Sequence, residues 1–248
     1  MLGSSQSVAG PTTILDTIMA AELKEFADKL EGAEDFSAAL HDVIRDAFTS
    51  HRRILFNGNG YDESWLKEAA KRGLSNYPTT PDCIPHLLDK KNVDMLTSQK
   101  VFTVKELESR CEIMLENYCK TVIIEANTMV DMARKQILPA VEGYCAKLAG
   151  SVAAKKAVSS AIKCGYETGL IEKLSVLTDD IAAKTDALEA SLMDLKGAAD
   201  TESEAYAIRV TVLGAMAQLR VAADEAETLT AEEYWPFPTY GELVYSVH

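Results

Sequence analysis

The sequence predicts an all-α fold: a region of short helices and loops, then a long antiparallel helical bundle, then a docked non-helical C-terminal tail. Three observations carry that expectation. Apolar residues recur at helical spacing almost from the start, as Leu15, Ile18, Met19, Leu23, Phe26 and Leu30. Thr103-Val104-Lys105-Glu106 is a capping box, in which the Thr hydroxyl accepts from the backbone N–H three residues on and Glu106 reaches back. Leu170, Leu174, Leu177, Ile181, Leu188, Leu192 and Leu195 alternate four-and-three spacing, with one gap at Lys184 and Thr185. That is a coiled-coil-like seam, and its first role is core packing.

The first helix has Pro11 in its opening turn, where proline is tolerated, and stops near Gly32. A second runs from about Asp35, with Phe36, Leu40, Val43, Ile44 and Phe48 on one face. A chain that turns helical so early reads as a piece of a larger protein. The run Arg53-Ile54-Leu55-Phe56-Asn57-Gly58-Asn59-Gly60-Tyr61 then breaks the helical pattern. Its successive Asn-Gly steps predict backbone positions at φ > 0, which Gly and Asn supply at least cost. Asp62 caps a short helix carrying Trp65 and Leu66, closed by Gly73. Asn76-Tyr77-Pro78-Thr79-Thr80-Pro81-Asp82 predicts an ordered extended loop, because proline fixes its own φ and restricts the preceding residue. Thr80-Pro81 starts another short helix through Ile84, Leu87 and Leu88.

Beyond the capping box, Leu107, Cys111, Met114, Leu115, Tyr118, Val122, Ala126, Met129, Ala133 and Ile137 keep helical spacing. Pro139 lies inside this pattern and predicts a kink or an interruption. The pattern resumes through Val141, Tyr144, Cys145 and Leu148 to Gly150. The leucine seam ends at Gly197, and a third long helix from about Thr201 to Leu229 carries Tyr206, Val210, Leu213, Met216, Ala217, Leu219 and Arg220. Short turns between long helices imply antiparallel neighbours. The closing stretch from Tyr234 to Tyr245 interleaves aromatics with Pro236 and Pro238, reads as non-helical, and is costly to leave solvated. These changes of character set the boundaries 1–52, 53–102, 103–230 and 231–248.

The 248 residues carry a formal net charge of −13, which argues against nucleic acid and against anionic membrane surfaces. No apolar run approaches the roughly 18 residues of a transmembrane helix, and the first residues lack the basic and apolar regions of a signal peptide. The five cysteines (Cys83, Cys111, Cys119, Cys145, Cys164) show no paired short spacing, which predicts reduced thiols in a cytoplasmic protein.

No constellation of residues reads as a catalytic, cofactor-binding or metal site. His41, His51, His86 and His248 are scattered, and none pairs with another His at metal-ligand spacing. His51-Arg52-Arg53 is the most basic point and balances acidic neighbours or the end of the second helix. Asp179/Asp180 and Glu232/Glu233 read as solvated charge. Ser151, Ser159 and Ser160 lack a nucleophile-elbow context. The Asn57–Gly60 loop has the topology of an anion site, an apolar run before a capped helix. It lacks the further Gly of a dinucleotide loop and the Gly-Lys-Ser/Thr of a P-loop, and Asp62 would repel a phosphate. A shaped structural or interface loop is the leading reading, with an anion site as the enzymatic alternative.

Several segments together resemble the C-terminal portion of type III glutamine synthetases. They are Met1 to Pro11, Arg53 to Tyr61, Thr79-Thr80-Pro81, Glu116 to Thr121, Glu125, Met132-Ala133-Arg134, Ile137 to Ala140, and Trp235 to Gly241. The resemblance spans nearly the whole chain. It implies a parent enzyme that joins ammonia to glutamate through a γ-glutamyl phosphate, uses ATP and Mg²⁺, and works as a homo-oligomer of stacked hexameric rings. It also implies that the metal-binding glutamates and substrate-binding arginines lie upstream of Met1, so none of those roles transfers to this chain. Gly3-Ser4-Ser5 should lie near the active-site wall. Residues 1–52 would then complete the catalytic domain, and the rest would serve packing and subunit contacts without independent catalysis. The competing class is a free-standing helical interaction module.

Overall fold

The computed structural model describes residues 7–245, which are helical or irregular with no strand among them. The chain divides into two compact units, one up to Met114 and one from Leu115.

In the first unit, α1 (Ala9–Leu30) and α2 (Phe36–Ser50) form a hairpin. Gly32 closes it at φ 81, and the Asp35 carboxylate caps α2 by accepting from the Ala38 N–H at 3.0 Å. The chain then passes through a 3₁₀ turn at Arg52–Ile54 to α3 (Glu63–Lys71), α4 (Thr80–Cys83), a second 3₁₀ stretch at Ile84–Leu88, and α5 (Lys90–Ser98). α3 and α5 end alike. The Leu74 N–H donates to Ala69 O and the Val101 N–H to Leu96 O, five residues back, while Gly73 and Lys100 take the left-handed position at φ 71 and φ 58. The core of this unit gathers Leu96 with Leu107 and Cys111. Those two side chains come from the first turns of α6 (Val104–Met132), whose start carries the expected box. The Thr103 N–H donates to Glu106 Oε2 at 2.7 Å, and the Glu106 N–H to Thr103 Oγ1 at 3.3 Å.

The second unit is a bundle of the rest of α6 with α7 (Leu138–Val158), α8 (Gly165–Asp194), α9 (Thr201–Ala207) and α10 (Leu213–Leu229). α8 packs against both α7 and α10. Arg134, just before α7, reaches Asp186 and Glu189 late in α8, while Lys155 near the end of α7 meets Glu167 at the start of α8. Rising positions on one helix therefore meet falling positions on the other, so the pair is antiparallel. The leucine seam is buried at Leu170, Leu174, Leu177, Ile181, Leu188 and Leu195. The gap in that seam is filled by Thr185, fully buried, whose hydroxyl donates to Ile181 O at 2.7 Å and so needs no partner outside its own helix.

Three local features refine the sequence expectation or depart from it. The interruption expected at Pro139 takes the form of a π turn at Ala133–Ile137 just before it, with the Leu138 N–H donating to Ala133 O. Proline has no N–H to donate, and in an unbroken α-helix its ring would press on the Lys135 carbonyl; the wider turn relieves that contact. Along α9, the π turn at Ile208–Val212 that follows it, and α10, the buried face is Ala205, Ile208, Val212, Leu219, Ala222, Ala223 and Ala226, while Tyr206 and Val210 are exposed. Small residues hold the close contact there, as the Ala-rich turns of this stretch lead one to expect, while large side chains such as Tyr206 lie outside. The tail runs without helix through Pro238 and then forms α11 (Tyr240–Tyr245). A second capping box starts it, the Thr239 N–H donating to Glu242 Oε2 at 2.6 Å and the Glu242 N–H to Thr239 Oγ1 at 3.2 Å. The tail docks on the bundle as expected, with the Tyr234 and Tyr144 rings 5.4 Å apart beside Gly143.

Candidate interaction surfaces

The loop that follows α2 is shaped by its side chains rather than by unusual backbone angles. Among the described residues the positive-φ positions are Gly32, Gly73 and Lys100, so neither Gly58 nor Gly60 takes the left-handed conformation that the paired Asn-Gly steps predict. The turn is made instead by Asn59, whose side-chain Oδ1 accepts the Tyr61 N–H at 3.0 Å. Gly58 serves a different need. The Phe56 ring stacks on Trp65 of α3, centroids 3.9 Å apart and planes at 25°, and lies over Gly58. A Cβ on Gly58 would stand 2.7 Å from Phe56 Cζ, closer than the ring permits.

Arg72 ties this arrangement down. Its Nε donates to Glu68 Oε1 at 2.7 Å, the ordinary four-residue pair of a helix. Its Nη1 donates to the Leu55 carbonyl at 2.9 Å and to Arg53 O at 3.3 Å, and its guanidinium lies 5.6 Å from the Trp65 ring centre. One side chain thus fixes the loop to α3. The result is a loop tied to α3 with Tyr61 out in solvent, 99% exposed. At the N-terminus of α3 the Asp62 carboxylate accepts the Ser64 N–H at 2.7 Å, and the Ser64 hydroxyl together with this bond holds its pKa below the ordinary carboxylate value. A carboxylate already sits where an anion would bind.

The second surface is the α1–α2 hairpin. Leu15, Met19 and Leu23 on α1 and Phe36, Ile44 and Phe48 on α2 are exposed, Leu15 by 62% and Phe48 by 64%. Beside Phe48 a groove of about 350 Å³ runs among Glu22, Ala47, His51, Ile54 and Leu55. Contiguous large apolar side chains on this scale mark a contact surface.

The other sequence-flagged residues do not converge. His41 is 3.9 Å from Asp42, and His86 stacks on Tyr77 and lies 3.0 Å from Asp89. Asp180 pairs with Lys184, and Glu232 and Glu233 are exposed. Cys83 is exposed, Cys145 partly buried, and Cys111, Cys119 and Cys164 are buried, and none of the five is in a disulfide. Burial raises the Cys145 pKa above its ordinary value. His248 and Gly3-Ser4-Ser5 lie outside the described residues. Among the described residues no group of three or more His, Cys, Asp or Glu is placed to hold a metal ion, and no helix is long and apolar enough to cross a membrane. Sequence reading missed Arg72 as the latch. Its signal was Glu68 four residues earlier on a helix bearing Trp65.

The chain is all-helical, and its distinctive features are an aromatic loop tied to α3 and an apolar hairpin exposed on α1 and α2. The glutamine synthetase C-terminal domain family matches residues 39–156, a stretch that includes the Phe56–Trp65 loop and the Pro139 π turn. The chain is 35% identical over 214 residues to a glutamine synthetase of Butyrivibrio fibrisolvens, covering 86% of this chain and 31% of that protein. It is 30% identical over 251 residues to a type-3 glutamine synthetase of Dictyostelium discoideum, covering 98% and 34%. A glutamine synthetase of Bacteroides fragilis is 28% identical over 255 residues, covering 98% and 35%. The chain therefore belongs to the glutamine synthetase family, as a C-terminal segment of it, and spans about a third of the length of these curated relatives.

Proposed function

We propose that this segment serves packing and subunit contacts in a cytoplasmic, homo-oligomeric ligase that joins ammonia to glutamate, and that it has no catalysis of its own. The observation that carries the reading is the open apolar hairpin. Leu15, Met19, Leu23, Phe36, Ile44 and Phe48 lie exposed on α1 and α2, and burying each fully is worth roughly 1.5–3 kcal/mol. Residues 9–50 thereby complete the catalytic domain by packing against the remainder of the enzyme. The irregular region and the bundle supply packing and subunit contacts.

ATP and Mg²⁺ belong to the parent activity. The described residues here offer neither a cation triad nor a free helix N-terminus behind the Asn-Gly loop, since Asp62 takes that place. No step of the reaction is assigned to this segment. The test is co-purification of the chain with the polypeptide encoded ahead of it in the same frame. Leu23→Glu and Phe48→Glu are expected to abolish association while leaving the second unit helical. Unchanged association in both variants would overturn the reading and favour a free-standing interaction module.

A further inference from the structure

Between the tail and the bundle helices of the second unit lies a cavity of about 480 Å³, within the roughly 300–1,000 Å³ of small-molecule sites. Met129, Met132 and Leu219 line it from the bundle, and Trp235, Phe237 and Tyr240 from the tail. The Trp235 and Phe237 rings meet edge to face with centroids 6.1 Å apart. Trp235 Nε1 is buried with no hydrogen-bond partner.

Three ionisable side chains complete the lining: Arg220, Asp224 and Glu227. Arg220 Nε donates to Asp224 Oδ1, which pairs one carboxylate with the guanidinium, and Glu227 lies near enough to act on the same guanidinium electrostatically. Glu227 makes the balance two negative charges against one positive. Aromatic faces attract cations and thioethers are polarizable, so walls of Trp, Phe, Tyr and Met reinforce what the excess carboxylate favours. An anionic ligand meets net repulsion in the same place. Beside low-dielectric walls these charge effects act more strongly than in open water.

We infer that this cavity binds a small organic cation of the aryl- or alkylammonium class, its apolar body against Met129, Met132 and Trp235 and its charged nitrogen toward Glu227. The site is separate from the surfaces that support the ligase reading and stands or falls independently of it. With two tryptophans in the chain, Trp65→Phe leaves Trp235 as the sole reporter of the pocket. Titration with benzyltrimethylammonium is expected to give a saturable change in Trp235 emission. Benzyl alcohol should bind at least roughly tenfold more weakly, and phenylacetate should give no saturable change. Glu227→Gln should weaken the cation by at least roughly tenfold without altering the melting temperature. Methyl-labelled methionine in the unaltered chain gives a second readout, with Met129 and Met132 shifting together. The inference is overturned if the cation gives no saturable response by either readout, if benzyl alcohol or phenylacetate binds as well, or if Glu227→Gln binds it undiminished.

Discussion

Gly58 and Gly60 look alike in sequence and should behave oppositely. A methyl group on Gly58 lands 2.7 Å from Phe56 Cζ and 3.1 Å from Cε2, so the ring must shift against its stack on Trp65. A methyl on Gly60 meets nothing within 4 Å, and its backbone is not left-handed. Both substitutions gain about 0.4–1 kcal/mol by restricting the unfolded chain. Only Gly58→Ala also disturbs the aromatic stack, worth about 0.5–1.5 kcal/mol beyond area, and part of the burial of Phe56. The expected gap between the two variants is therefore about 1–2 kcal/mol, with Gly60→Ala the more stable. Urea unfolding followed by circular dichroism measures the gap. In a Trp235→Phe background, Trp65 emission should change in Gly58→Ala and stay constant in Gly60→Ala. Equal stabilities, or an unmoved Trp65 signal in Gly58→Ala, would refute the packing account of this loop.

The matching ends of α3 and α5 give a paired expectation: Gly73→Ala should cost about 1 kcal/mol, while Lys100→Gly should cost nothing or gain a few tenths, because only the former adds a Cβ at left-handed φ. Leu174, fully buried in the α8 seam, should cost about 2–5 kcal/mol on truncation to Ala, read as a lower urea midpoint. Glu106, Asp62 and Asp200 all have pKa values lowered by hydrogen bonds at helix starts, and Glu189 is lowered by Arg134. Their contribution is full above the ordinary carboxylate range and is lost as pH falls through the lowered folded values. The urea midpoint should therefore drop on the acid side, and Glu106→Gln should flatten that drop slightly.

The long helices, the capping box at Thr103, the cap at Asp62, the stop at Gly73 and the leucine seam were legible in sequence, whereas α5 and α11 were not. Each legible feature depends on residues close along the chain. What else was not legible depended on contacts across it. The reason for Gly58 lies in where Phe56 meets Trp65, and the tie from Arg72 spans 17 and 19 residues to reach Leu55 and Arg53. Pro139 signalled trouble for a helix, but whether the answer is a kink or a π turn depends on keeping Ala133 and Ile137 both in the core. The Thr239–Glu242 box was visible by spacing, and the neighbouring prolines hid it. The cavity beneath the tail forms only when residues a hundred positions apart come together.

We propose this chain as a non-catalytic C-terminal part of a glutamate–ammonia ligase. The most direct test is γ-glutamyl transfer activity of the purified chain with ATP, Mg²⁺ and substrates, before and after adding the polypeptide encoded upstream in the same frame. The account predicts no activity from the chain alone and activity from the combination, lost again with Phe48→Glu. Turnover by the chain alone, or full turnover by the upstream polypeptide without it, would contradict the claim.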